Sequence, residues 1–184
     1  AGGWNGSGSG AISFGITDVA PATVPNFYFN TVKADSSTFS GDYDGLEFAV
    51  DTWYHVALTN AGSTGDVKLW VDGTLETTFA TGGSVFGYSD EAIGIGVMDK
   101  YGGSYRYTFD GYLDEIRVSN TERYTSTFTP STTQFTADAN TMFLLHSDWD
   151  GGLGADSSGN FNTFTPANLV ATDQMVDSPT NNFA

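Results

Sequence analysis

Cysteine is absent from the 184 residues, which excludes disulfides and thiolate metal sites as sources of stability. That absence is compatible with an extracellular or particle-borne protein and does not by itself place it there. No continuous apolar run approaches the ~18 residues of a membrane-spanning helix, and no basic segment leads into an apolar one as in a secretory signal. Basic residues are scarce: six Lys plus Arg stand against 22 Asp plus Glu, for a formal net charge of −16. A field of that sign repels nucleic-acid phosphates and anionic lipid, so neither nucleic-acid binding nor membrane insertion is expected. The opening residue is Ala1 rather than Met, and the end at Asn181-Asn182-Phe183-Ala184 has no natural stop. Both read as marks of a processed or truncated piece of a longer polypeptide.

What is present is glycine, aromatics and hydroxyl residues. Aromatic residues make up 15% of the chain, ample material for a core, which argues against disorder. A charged fraction of only 15%, with 23 Gly and abundant Ser and Thr, suits a polar β-rich protein that handles sugars, ions or other proteins. The length fits one domain able to fold without staples.

Residues 1–10, AGGWNGSGSG, have no periodicity and read as a linker or N-terminal arm. Strands are expected at 11–16, at 27–32 and, after a Ser/Gly/Asp-rich loop over 36–44, near 46–50. Residues 53–59 alternate Tyr54, Val56 and Leu58 against Trp53, His55 and Ala57. In 67–71, Val67, Leu69 and Val71 share one face, opposite Lys68 and Trp70. Asp72-Gly73 then supplies the two positive-φ positions of a tight hairpin, and 74–79 returns. Residues 92–98 place Ile93, Ile95 and Val97 inward, with Gly94 and Gly96 leaving the other face bare for a neighbour or ligand. Strands at 105–109, 112–118 and 141–145 complete the set, and no segment holds a helix-length apolar stripe. The spacing is that of an all-β antiparallel sandwich over 11–146. From 147 to 184 the chain turns Asp/Gly/Ser/Asn-rich, as a polar tail or the start of a following module.

The ordered series WYHVALT, KLWVDG, IGIG and FDGYLDEIRVSNTERYTSTFTP resembles the concanavalin A-like, laminin-G-like domains of bacterial surface proteins and bacteriophage structural proteins. The resemblance runs from about Trp53 to Pro130 and implies a two-sheet jelly roll mounted on a long multidomain chain. ERYTSTFTP resembles the arginine-tyrosine turn that closes the phage versions, and TMFLLHSDWDGGLGADSSGN resembles an element that flanks them. The final FTPANLVATDQMVDSPTNNFA is similar to a sequence recurring in phage and prophage structural proteins. The family's opening strand, with its F-T-I-E-x-W pattern, has no match in residues 1–50, which leaves the order of the first strands open.

The resemblance also implies a structural Ca²⁺ near Asp114, with Asp110 beside it. Carboxylates suit the six to eight hard oxygens this ion takes. Equally, Asp114 is a turn or cross-strand partner, of Arg117 for example, and Asp110 sets the Asp-Gly turn. Asp42, Asp44, Asp148 and Asp150 are similar short-spaced acids without an EF-hand pattern. Tyr101, Tyr105 and Tyr107, with Tyr112 nearby, offer rings on which a sugar face stacks while Asp99 or Asp90 takes hydroxyls; the bland alternative is packing. Trp4, Trp70 and Trp149 could extend that platform, while Trp53 is assigned to the core. The retaining glucanases of this fold carry E-x-D-x-E, whose alternate side chains face one sugar. None of Glu47, Glu76, Glu91, Glu115 and Glu122 stands in that pattern, and His55 and His146 lack a serine elbow or an H-E-x-x-H helix. No enzyme is expected. The reading is a structural and adhesive domain of a phage or phage-like particle or fibre, multicopy among protein subunits, with weak cell-surface glycan binding. A carbohydrate-binding module of a secreted adhesin or glycoside hydrolase is the alternative.

Overall fold

A computed structural model describes residues 12–17, 26–32, 37–62, 65–82, 94–101, 104–146, 154–166 and 173. Among these there is no α-helix, and every strand pairing is antiparallel. The all-β class expected from the alternating pattern therefore holds. The chain divides into two compact units, 1–110 and 111–184, a division inside the stretch 11–146 read above as one sandwich.

In the first unit, β1 (Ile12–Thr17), β2 (Asn26–Val32) and β3 (Thr38–Tyr43) form a meander in sequence order. That arrangement supplies the order of the opening strands. β4 (Val56–Asn60), β5 (Val67–Val71) and β6 (Thr74–Phe79) form a second meander. The period of two along β2 and β5 sends Phe27, Phe29, Val67, Leu69 and Val71 into one buried cluster with Leu46 and Phe79. Phe29 meets Phe79 at 5.8 Å between ring centroids, and Phe39 meets Phe79 edge-on at 6.4 Å, so the two sheets face one another through aromatic side chains. Gly41 on β3 lies so close under the Phe79 ring that a Cβ there would collide with it.

Local chemistry sets the β5–β6 hairpin. Asp72 and Gly73 take φ of 48° and 80°, as a type I′ turn requires. The Asp72 carboxylate accepts the His55 N–H at 2.8 Å, and the Asp72 N–H returns to the His55 carbonyl at 2.9 Å. The last pair of the unit is β7 (Val97–Tyr101) with β8 (Ser104–Thr108), and the Phe109 N–H donates to the Gly96 carbonyl at 2.8 Å at its base.

Several sequence expectations shift. The loop expected over 36–44 contains β3, because Phe39, Gly41 and Tyr43 alternate inward against β2 despite their turn-like composition. The strand expected near 46–50 is irregular chain ending in a turn; Leu46 is buried all the same, and Phe48 packs edge-on to Tyr54 at 4.9 Å. The strand at 92–98 begins only at Val97; Gly94 to Gly96 form a bend with Gly96 at φ 72°, and Ala92 and Ile93 lie outside the described residues. β9 (Ile116–Ser119) is shorter than the expected 112–118, since Glu115 turns the chain at φ 53°.

The second unit pairs β9 with β10 (Thr141–Leu145). Thr141 opposes Ser119 and Phe143 opposes Val118, so Met142 is the extra residue of a β-bulge. Leu144 and Phe143 are buried, and the Phe143 ring lies 4.5 Å from that of Phe164. Residues 154–166, inside the stretch read as tail or new module, therefore pack on β10.

Candidate functional site

The tyrosines singled out above are brought together by backbone. Tyr101, Tyr105 and Tyr107 all lie on the β7–β8 ribbon, with Tyr101 opposite Ser104, Lys100 opposite Tyr105 and Asp99 opposite Arg106. Their side chains, together with Trp4, Asp90, Asp148, Trp149 and Asp150, lie outside the described residues. Trp70 does not belong to a platform. It is 1% exposed, and its indole N–H donates to the Thr59 hydroxyl at 2.8 Å. Alternation puts it on the face opposite Val67, Leu69 and Val71, and it does stay outside their cluster; that other face is itself covered at Trp70. Trp53, assigned to the core, is only partly buried.

Asp110 is exposed at the end of the first unit, and Asp114 is half-buried near the start of the second. The Asp114 carboxylate accepts the Glu115 N–H at 2.9 Å. Arg117 donates to the Tyr124 hydroxyl at 3.2 Å and lies 4.0 Å over the Phe135 ring. Burial lowers the Arg117 pKa, with Tyr124 opposing that shift. Asp42 and Asp44 are exposed. Among the described residues no group of three His, Cys, Asp or Glu side chains that could hold a metal ion occurs.

Three acids gain fixed partners that sequence reasoning did not assign. The Glu115 carboxylate accepts the Phe135 N–H at 2.7 Å and pairs with His146 Nδ1 at 2.8 Å, the side chains being 8% and 16% exposed. Arg123 makes a two-pronged pair with Asp138 at 2.9 and 2.7 Å and also reaches the hydroxyls of Ser119 and Thr141 at 2.5 and 3.2 Å. The Arg123 guanidinium, then the Asn140 N–H, hold the Asp138 carboxyl well below the usual carboxylate range.

Asp156 is the third. It accepts the N–H groups of Leu144, Ser158 and Asn162 at 3.1, 2.9 and 3.0 Å, the Ser158 hydroxyl at 2.7 Å and the Asn162 amide at 2.7 Å. Partial burial pushes this carboxyl up. The Ser158 hydrogen bonds, then those of Leu144 and Asn162, outweigh that and leave it well below the usual range. Asn160 and Asn162 donate to the Met142 carbonyl at 3.1 and 2.9 Å, so the loop 154–162 satisfies backbone that the bulge releases from the ladder. Asp-Ser-Ser is a local signature of such an Asx turn; its distant acceptors on β10 carry no local signal.

Residues 2–127, more than half of the chain, match the laminin-G-type family model described as the concanavalin A-like lectin/glucanases superfamily. The match crosses the division between the two units and ends before β10 and the Asp156 loop. No curated protein and no solved structure matches the chain.

Proposed function

We propose that this chain, which belongs to the concanavalin A-like lectin/glucanase superfamily through its laminin-G-like domain, is a non-enzymatic structural and adhesive domain of a phage or phage-like particle or its fibre. It works in multiple copies among protein subunits, on a virion or at the cell surface, and holds cell-surface glycans weakly. The observation that carries this reading is the use of three acids of the second unit. Glu115, Asp138 and Asp156 accept backbone amides or pair with Arg123 and His146, so their lone pairs hold the chain together. A retaining glycosidase needs two such groups free to flank one bond. The phage context rests on the closing sequences ERYTSTFTP and ADSSGN, of which the second forms the loop over β10.

The β7–β8 ribbon, with three tyrosines and Asp99, favours a second reading as a carbohydrate-binding module of a secreted adhesin or glycoside hydrolase. Mass spectrometry of purified particles and a glycan array with wild type and Tyr105→Ala separate the two. Recovery of this sequence in particles, with array signals no stronger than millimolar-class binding, supports the first. Strong array binding lost in Tyr105→Ala, or an attached hydrolase domain, overturns it. A Ca²⁺ ion held by Asp110 and Asp114 would take its remaining oxygens from carbonyls, water or further carboxylates; a melting temperature unchanged between Ca²⁺ and chelator removes that part of the proposal.

A further inference from the structure

Among the described residues four non-glycine residues have positive φ, and three of them have a visible reason. Asp51 is a small polar residue in a turn that the Thr52 hydroxyl closes on the Val50 carbonyl at 3.1 Å. Asp72 forms the hairpin and caps His55. Glu115 uses its carboxylate on Phe135 and His146. Phe161, at φ 58°, has no polar atom with which to compensate, and it is 91% exposed. A bulky residue in the left-handed region is an outlier that persists only where its surroundings over-determine it. They do so here. Asn160 is tied to the Thr141 and Met142 carbonyls at 2.8 and 3.1 Å, and Asn162 to the Met142 carbonyl and Asp156 at 2.9 and 2.7 Å. A ring held out in water by two pinned neighbours gains no burial in return among the described residues.

We propose that Phe161 is a pre-organised anchor that inserts into an apolar pocket with a basic rim on a different protein chain. Met142, the bulge residue whose carbonyl both asparagines hold, is itself 45% exposed and adds adaptable apolar surface on β10. Charge decides the occupant. Residues 111–184 contain nine Asp plus Glu against two Arg, and Arg117 and Arg123 are engaged with Tyr124 and Asp138. A second copy would bring the same excess of negative charge, whereas a basic rim is attracted to it. A sugar is disfavoured because the amides of Asn160 and Asn162, the natural donors to hydroxyls, already point at Met142 and Asp156. This inference rests on the reading of the chain as a member of a multi-protein assembly.

The test is a yeast-displayed random-peptide library panned against the whole chain, with Phe161→Asn and Phe161→Trp as comparators. Asn tolerates the left-handed region, so Phe161→Asn should keep or raise the melting temperature, by up to roughly 2–4 °C. Recovered peptides should combine large apolar residues with Lys or Arg and weaken with salt. They should lose roughly tenfold or more in affinity for Phe161→Asn while retaining most of it for Phe161→Trp. A fall in melting temperature for Phe161→Asn overturns the proposal by making the ring part of the fold. So does the absence of Phe161-dependent peptides, or a dimer in sedimentation equilibrium that Phe161→Asn abolishes. Peptides that bind wild type and Phe161→Asn equally overturn the anchor but leave the assembly reading standing, since particle mass spectrometry tests that separately.

Discussion

The two units hold themselves together by different physics. Residues 1–110 bury phenylalanines, leucines and valines between two facing meanders, and their core side chains are apolar. Among the described residues of 111–184 the fully buried ones are Phe143, Leu144 and Thr141, and Arg123, Glu115 and Asp156 tie separate stretches of chain to β9 and β10. An apolar core is indifferent to register beyond its period and tolerant of pH. A set of charge-assisted hydrogen bonds fixes one geometry and depends on protonation.

That contrast can be broken most severely in the first unit. Phe29→Ala empties the centre of its aromatic cluster and should cost about 3–5 kcal/mol in urea unfolding, with amide protection at Leu69 falling first. A loss below about 1 kcal/mol would mean that the facing sheets are not the main support. Asp156→Ala strikes the other mechanism, leaving the buried Leu144 N–H without its carboxylate, and should cost roughly 1–3 kcal/mol, read as faster hydrogen exchange at Leu144 but not at Leu69.

Acid sharpens the comparison without mutation. The carboxyls of Asp138 and Asp156 sit below the usual range in the folded chain, so their contribution is complete above an unfolded aspartate value near ~3.9 and is lost as pH falls through and below it. Amide protection at Leu144 should therefore begin to fall near about pH 4 and go on falling below it, ahead of that at Leu69; simultaneous loss would contradict the division of labour. The smallest effect expected is Thr59→Val. It removes the acceptor of the buried Trp70 indole and should cost about 1–2 kcal/mol, with a shift in tryptophan fluorescence.

Much of the fold was legible where the signal is local. Residues 67–79 declare two strands and their turn through period-two alternation and Asp-Gly, and the structure places all three there. β3 was not legible, because Ser, Gly and Asp carry turn propensity and only the neighbouring β2 recruits Phe39 and Tyr43 into a ladder. The ribbon bearing Tyr101, Tyr105 and Tyr107 was visible as a cluster in the sequence. The anchoring loop at Phe161 was not, since nothing near Asp156 announces the released carbonyl of Met142.

By itself the sequence determined the all-β class, the β5–β6 hairpin and the acidic field, because alternation, turn chemistry and charge are properties of neighbouring residues or of their sum. Only the tertiary structure decided that Trp70 is interior, that Glu115 meets His146 across 31 residues, and that an exposed phenylalanine is held at positive φ. Those outcomes depend on a bulge and on distant partners, which exist once separate strands have come together.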